Sequence, residues 1–190
     1  MPDTRMYLVS RSVRRRELLN QAGIRFELML LRSAERQDAE VDESCLAGET
    51  PEVYVQRVAR AKAVFGANLL LQRHMPKRLL LAADTTIDLD GEVIGKPKNS
   101  ADAIAILQRL SGRSHRVLTS VVAALPHNIE PQIKSCLSVS DVTFRTLTED
   151  EILRYVQTGE PLDKAGAYGI QGRAATFVES IRGSYTGIVG

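Results

Sequence analysis

Ser10-Arg11-Ser12-Val13-Arg14-Arg15 sets hydroxyls and guanidinium groups where a short apolar strand gives way to a helix. Such a junction offers backbone N–H groups, hydroxyl oxygens and planar cation forks in one place, and phosphate is the ligand that uses all three. Helix starts favour acids because the macrodipole is positive there. Arginine at 14, 15 and 16 runs against that rule, and an anion at the helix start would reverse the penalty. The same residues also read as a solvated basic helix face. A second candidate is Ala82-Ala83-Asp84-Thr85, an acid just past an apolar strand, where open α/β sheets gather ligands. There Asp84 could hold a divalent cation, take a proton from water, or simply make a turn.

Other charged residues are individually bland. Gly95-Lys96-Pro97 holds a lysine between two residues that restrict the backbone, which suits a fixed point charge. Lys62 lies in a helical pattern, and Glu43 closes the acidic patch Glu40-Val41-Asp42-Glu43. The run Asp163-Lys164-Ala165-Gly166-Ala167-Tyr168-Gly169-Ile170-Gln171-Gly172 carries three glycines and two alanines among these ten residues, a density that lets a backbone approach something closely. Within it Gln171 offers both an amide donor and an acceptor, as reading a base edge requires. His74, His115 and His127 lack metal-ligand spacing, and Cys45 and Cys136 belong to no C-x-x-C pattern.

The elements that must position these groups follow from pattern. Tyr7 to Val9 reads as a strand leading into the arginine-rich helix, and residues 32–48 as a polar loop. Pro51 opens a helix to Ala67 with Val55, Val58 and Ala59 on one face. Leu79 to Ala83 reads as a buried strand that Asp84-Thr85-Thr86 terminates. Ile87 to Leu89 and Val93-Ile94 then flank the hairpin signal Asp90-Gly91. A helix capped by Asn99 or Ser100 runs through Leu110 to Gly112. His115 to Ala124 and Ser135 to Arg145 read as two long strands, the second alternating at Leu137, Val139, Asp141 and Thr143. Thr148-Glu149-Asp150-Glu151 predicts a capping box for a helix to Thr158, with short strands near Ala175 to Val178. Hairpins interrupt the interleaved strands and helices, so the fold class is a mixed α/β sheet with flanking helices, without the G-x-G-x-x-G of a dinucleotide fold.

Composition bounds the partners. The 190 residues fit one domain, and 44% hydrophobic with 25% charged residues fits a globular core built mainly from Leu, Val, Ile and Ala. A formal charge of +2 is too small for bulk electrostatic coating of nucleic acid, so a bound anion must be met by a local cluster. No apolar leader precedes Leu19 and no apolar run is long enough for a bilayer, so a cytoplasmic protein that does not engage membranes is expected.

These segments resemble the Maf family of nucleoside triphosphate pyrophosphatases, from about Tyr7 to the last residue. The family's S-x-S-P-R-R-x-E-L-L stands as Ser10-Arg11-Ser12-Val13-Arg14-Arg15-Arg16-Glu17-Leu18-Leu19, and its G-A-D-T as Ala82-Ala83-Asp84-Thr85. D-G-E-x-x-G-K-P spans 90–97 and L-S-G-R-x-H spans 110–115. The run G-E-P-x-D-K-A-G-A-Y-G-I-Q-G is complete at 159–172 and is similar to the branch acting on dTTP and UTP, not the one for methylated guanine nucleotides. Val13 departs from the family proline, Ala82 from a glycine and Ala61 from a glutamate; none of these removes a charge assigned to phosphate or metal.

The resemblance implies an inosine-triphosphatase-like fold, a single domain over 1–190 with two lobes around a central cleft. It implies hydrolysis between the α and β phosphates of dTTP and UTP, modified pyrimidine nucleotides being a further substrate class. Asp84 matches the proton acceptor, and Arg14, Thr85 and Gln171 match the specificity positions. Ser10, Ser12, Arg15, Lys62 and Lys96 would bind phosphate, and Glu43 with Asp84 would ligate Mg²⁺ or Mn²⁺. The nucleoside triphosphate is the expected partner, with a homodimer left open. The competing reading is a non-catalytic regulator of cell division that binds nucleotides or nucleic acid through residues 14–16; the low net charge argues against nucleic acid as the main ligand.

Overall fold

The computed structural model describes residues 5–29, 41–127 and 130–190, so residues 32–40 of the expected polar loop, Glu40 among them, lie outside it. The described chain builds one sheet from β1 (Met6–Val9), β2 (Phe26–Leu28), β3 (Leu80–Leu89), β4 (Glu92–Ile94), β5 (Ser114–Leu125), β6 (Gln132–Phe144) and β7 (Val178–Arg182). The order is β2-β1-β3-β5-β6-β7, with β4 also pairing to β3. β1 lies parallel to β2 and β3, and every other pair is antiparallel. The expected mixed α/β sheet with flanking helices is therefore present.

Helices α1 (Val13–Gln21), α2 (Pro51–Gln72), α3 (Ser100–Leu110), α4 (Glu149–Val156) and α5 (Tyr185–Val189) flank it. Their starts are locally written. The Thr50 side chain accepts from Val53 N–H ahead of Pro51, Asn99 caps α3, and Thr148 with Glu151 forms the reciprocal capping box. α2 continues past Ala67 to Gln72 because Leu69 and Leu70 keep its apolar face buried.

Alternation along the strands divides the core between the two faces of the sheet. Leu80 and Ala82 of β3 pack with Ala59, Ala63 and Leu70 of α2 on one face, beside Val122 and Ala124 of β5. Ile87 and Leu89 face the other way, into a second cluster with Leu107, Phe144, Ile152 and Tyr168.

The end of β3 and the start of the last strand differ from the sequence reading. β3 does not end at Asp84. It runs unbroken through Thr86, Ile87, Asp88 and Leu89, in continuous register with β5 from Leu80↔Ala124 to Asp88↔Arg116. β-Branched Thr85, Thr86 and Ile87 suit the extended backbone, and the long neighbour supplies the pairing that a lone polar triplet lacks. In β6 the buried alternate set is Ser140, Val142 and Phe144, whereas Val139 is exposed. The alternation at Leu137, Val139, Asp141 and Thr143 thus marks the less buried face of the strand. The strand placed near residues 175–178 begins only at Val178, after a 3₁₀ turn over Arg173–Phe177.

Candidate active site

On one edge, β3 is paired by β5 along nearly its whole length. On the other, β1 covers only Leu80, Leu81 and Ala82, and β4 covers only Ile87, Asp88 and Leu89. Residues 83–86 thus have no strand partner on that edge, and Asp84 sits in the middle of the break. An interrupted edge leaves backbone polar groups to be satisfied by side chains or ligand, so it is a natural place for a site.

α1 enters this break. β1 ends at Val9, and Ser12 caps the helix by accepting from Arg15 N–H at 3.5 Å. Arg15 then turns back to the sheet. Its Nη1 donates to the Ala83 main-chain oxygen at 2.7 Å and to Ser10 Oγ at 3.4 Å, its Nη2 to Thr85 Oγ1 at 3.2 Å, and its Nε to the main-chain oxygen of Gly190 at 2.9 Å. Burial pushes the Arg15 guanidinium below its ordinary value, opposed by the neighbouring Asp84 charge. The arginine-rich helix start is thus answered in part by carboxylates of the chain itself. Arg14 stays half-buried. Its charge reaches Asp163, whose carboxyl burial alone would raise, but which Lys164 and Arg14 hold below its ordinary value.

The opposite wall comes from α2. Lys62 shares its buried helical face with Val55, Val58, Ala59 and Gly66, which points the ammonium at β3. Nζ lies 2.7 Å from Asp84 Oδ1 and 2.8 Å from Glu43 Oε1, bridging the two carboxylates. Glu43 is half-exposed, but its backbone is fixed. Tyr54 O–H donates to the Glu43 main-chain oxygen at 2.9 Å, and Arg57, paired to Glu49, donates to Ser44 O at 2.8 Å. The Tyr54 hydroxyl is pushed up to about 12 by burial and by the Asp84 and Glu43 charges, so it remains a donor.

Asp84 is only 7% exposed. Burial raises its pKa above the ordinary aspartate value, with Lys62 and Arg15 pulling the other way. A carboxylate tuned upward in this manner is what a general base needs. Glu43 and Asp84 converge on one cationic point and supply hard oxygens, a donor set suited to a magnesium-like ion that takes one or two carboxylates and completes its shell from phosphate and water. Among the described residues no three His, Cys, Asp or Glu side chains gather as a protein-only metal cage.

The structure brings Ser10, Ser12, Arg15, Glu43, Lys62, Asp84 and Thr85 together through hydrogen bonds and ion pairs. Lys96 and Gln171 are both exposed. The Gly95-Lys96 segment is joined to the small-residue loop where Gly166 N–H donates to Gly95 O at 2.9 Å. The glycines of that loop act differently from the expectation. A Cβ on Gly169 would strike the Lys164 side chain, and one on Gly172 would strike the Glu160 carboxylate. They admit the chain's own side chains, and Glu160 in turn accepts from Tyr155 O–H and Arg173 N–H. His115 is buried against Tyr168 O–H and held down to about 4 by burial, a neutral core residue.

Sequence reasoning missed Tyr54 and Thr119. Tyr54 carries a visible signal, an aromatic in the first turns of a helix that follows an acidic loop. Thr119 carries none, because its partner Thr85 is revealed only by strand register.

No described helix is long and apolar enough to cross a membrane. The model of the Maf-like protein family matches residues 5–190. A dTTP/UTP pyrophosphatase of Dechloromonas aromatica is 54% identical over 186 residues, covering 98% of this chain and 90% of the relative. One of Aromatoleum aromaticum is 57% identical over 187 residues, covering 98% and 89%. One of Chromobacterium violaceum is 48% identical over 188 residues, covering 99% and 89%. With a family match across almost its whole length, the chain belongs to the Maf-like protein family.

Proposed function

We propose that this protein hydrolyses dTTP and UTP between the α and β phosphates, releasing the nucleoside monophosphate and pyrophosphate. The observation that carries the reading is the Glu43–Lys62–Asp84 bridge at the break in β3, facing the helix start that bears Arg14 and Arg15. The activity named for its relatives is the one this chemistry serves. Asp84 takes a proton from the attacking water, whose oxygen bonds to phosphorus as the anhydride bond breaks and the bridging oxygen leaves with the departing phosphate. A triphosphate carries about four negative charges, and Arg14, Lys62 and Lys96 provide cations for it. Glu43 and Asp84 would hold Mg²⁺ or Mn²⁺, which when bound neutralises phosphate charge. The same bridge explains why a buried carboxylate stays usable: Lys62 supports its ionised form until phosphate competes for the ammonium.

The test is pyrophosphate release from a panel of nucleoside triphosphates with and without Mg²⁺. Release from dTTP and UTP that needs the ion supports the reading, and no release from any of them refutes it. Lys96→Ala and Arg14→Ala should each raise KM and lower kcat, since a charge-assisted contact contributes about 1.5–3 kcal/mol, roughly 10- to 150-fold in kcat/KM. If both variants stay within twofold, these are solvated surface charges.

Gln171 is proposed to read the base. Its amide donates to O4 of uracil or thymine and accepts from N3–H, groups that cytosine reverses, and the thymine methyl lies away from that edge. Once a bound base covers the exposed amide, an unpaired group there costs about 1–3 kcal/mol, so CTP should be rejected by roughly 5- to 150-fold and Gln171→Ala should erase the preference. The measurement is kcat/KM for dTTP, UTP and CTP. An unchanged ratio in the variant leaves Gln171 as a loop residue only.

A further inference from the structure

Arg15 grips the residues on both sides of Asp84, the main-chain oxygen of Ala83 and the hydroxyl of Thr85. Thr85 Oγ1 in turn lies 2.9 Å from Thr119 Oγ1, its direct cross-strand partner on β5, and Thr119 Oγ1 donates to the Gly187 main-chain oxygen at 2.7 Å. The direction of this chain follows from counting protons. A threonine hydroxyl has one, and that of Thr119 is spent on Gly187. The proton between the two threonines therefore belongs to Thr85, whose oxygen accepts from Arg15. The sequence is one-way: Arg15 N–H to Thr85 O–H to Thr119 O–H to Gly187 C=O.

The far end of the chain is α5, which sits flush on the sheet. A Cβ on Gly187 would come within 2.3 Å of Ser138 Oγ, and one on Gly190 within 2.8 Å of Thr85 Oγ1. Arg15 Nε also holds the Gly190 main-chain oxygen, so the two ends of the chain grasp the same short helix. All four guanidinium bonds of Arg15, and the Thr119 hydroxyl bond to Gly187, end on main-chain oxygens or on half-buried hydroxyls of the protein. Little of Arg15 is left for phosphate.

We propose that Thr119 and Arg15 are positioning residues for the reaction, a hydrogen-bonded brace that spans the break in β3, fixes the backbone around Asp84 and pins α5 against it. This rests on the pyrophosphatase reading for the reaction it serves, though the brace itself does not. Its function is to hold Asp84 in the attack geometry that Lys62 alone, reaching only the side chain, leaves free to drift. Misplacement of a reacting group by about 1 Å can cost on the order of 10²-fold in rate, so loosening the brace one step away should cost about tenfold.

The experiment compares wild type, Thr119→Val, which keeps shape and removes the hydroxyl, and Thr119→Ser, which restores it. Pyrophosphate release from UTP should show kcat about tenfold lower in Thr119→Val with KM within twofold, and Thr119→Ser should recover at least half of wild-type kcat. Hydrogen exchange over residues 183–190 should be about tenfold faster in Thr119→Val and near wild type in Thr119→Ser. A kcat within twofold, a loss that falls on KM instead, or a serine variant as impaired as the valine one overturns the positioning role. Unchanged exchange over 183–190 overturns the brace. A wild type that releases no pyrophosphate removes the reaction and the positioning role with it, while exchange still decides whether the brace exists.

Discussion

Asp84→Asn should abolish pyrophosphate release, by about 10²- to 10⁴-fold in kcat, while leaving the protein folded. The carboxylate sits mid-strand at the unpaired stretch of β3, and the amide keeps its shape while losing the capacity to accept a proton. Burial already favours an uncharged side chain at this position, so the substitution does not add a desolvation cost, and Lys62 keeps Glu43 as its counter-charge. The sign of the pH effect follows. A folded pKa raised above the unfolded value means that the Asp84 contribution to stability is fully present below the ordinary aspartate range and is lost as pH rises through the raised value. Wild type should therefore show an acid limb in kcat/KM above the ordinary aspartate range, and the Tm of the variant should be less pH-dependent across that interval. Turnover near wild type in Asp84→Asn would remove Asp84 from the mechanism.

The parts of this fold that local chemistry writes were legible in the sequence. Asp90 and Gly91 both adopt positive φ in the hairpin, as their types require, and Thr148 with Glu151 makes the reciprocal cap. β3 was harder. Asp84-Thr85-Thr86 looks like a turn when only neighbours in sequence are considered, and it is a strand because β5, some thirty residues on, pairs with it throughout. On β6 the alternation is present, but a strand near the sheet edge exposes apolar side chains such as Val139, so alternation alone does not say which set is inside.

The site divides along the same line. Residue type and a strand-to-helix junction were enough to single out Ser10, Arg14, Arg15 and Asp84. Nothing in the spacing distinguishes Arg14 from Arg15, yet the structure turns Arg15 into the sheet, with Nη1 on Ala83 O, and leaves Arg14 half-buried toward Asp163. Lys62 looked like one more basic residue beside Arg57 and Arg60 on α2. Its place over Asp84 depends on the pitch of that helix against β3, and so on packing of Val58, Ala59 and Ala63 that sequence periodicity indicates but does not locate.

That placement makes Lys62→Met the second large effect. Removing one member of a buried, bridged pair leaves Asp84 without its nearest cation and facing Glu43, a cost of about 3–5 kcal/mol to the ionised carboxylate; because only that form accepts a proton, kcat/KM at neutral pH should fall by up to roughly 10²- to 5 × 10³-fold. The sign with pH is fixed by what remains. Burial and Glu43 both raise the Asp84 pKa, and the interaction that most opposed them is gone, so the value rises further. The acid limb of kcat/KM should move to higher pH, and the deficit against wild type should narrow as the medium becomes alkaline and Asp84 ionises again. Stability should follow: the loss still begins in the ordinary aspartate range, where the unfolded chain ionises, but it continues to higher pH, so the Tm of the variant should keep falling beyond the pH at which that of wild type levels off. Lys62→Arg keeps the charge but replaces a compact ammonium with a planar fork, and should recover the position of the acid limb more fully than the rate. The measurements are pH profiles of kcat/KM and Tm for the three proteins. An acid limb that stays in place in Lys62→Met would mean that Lys62 binds phosphate without tuning Asp84, and a deficit constant with pH would say the same.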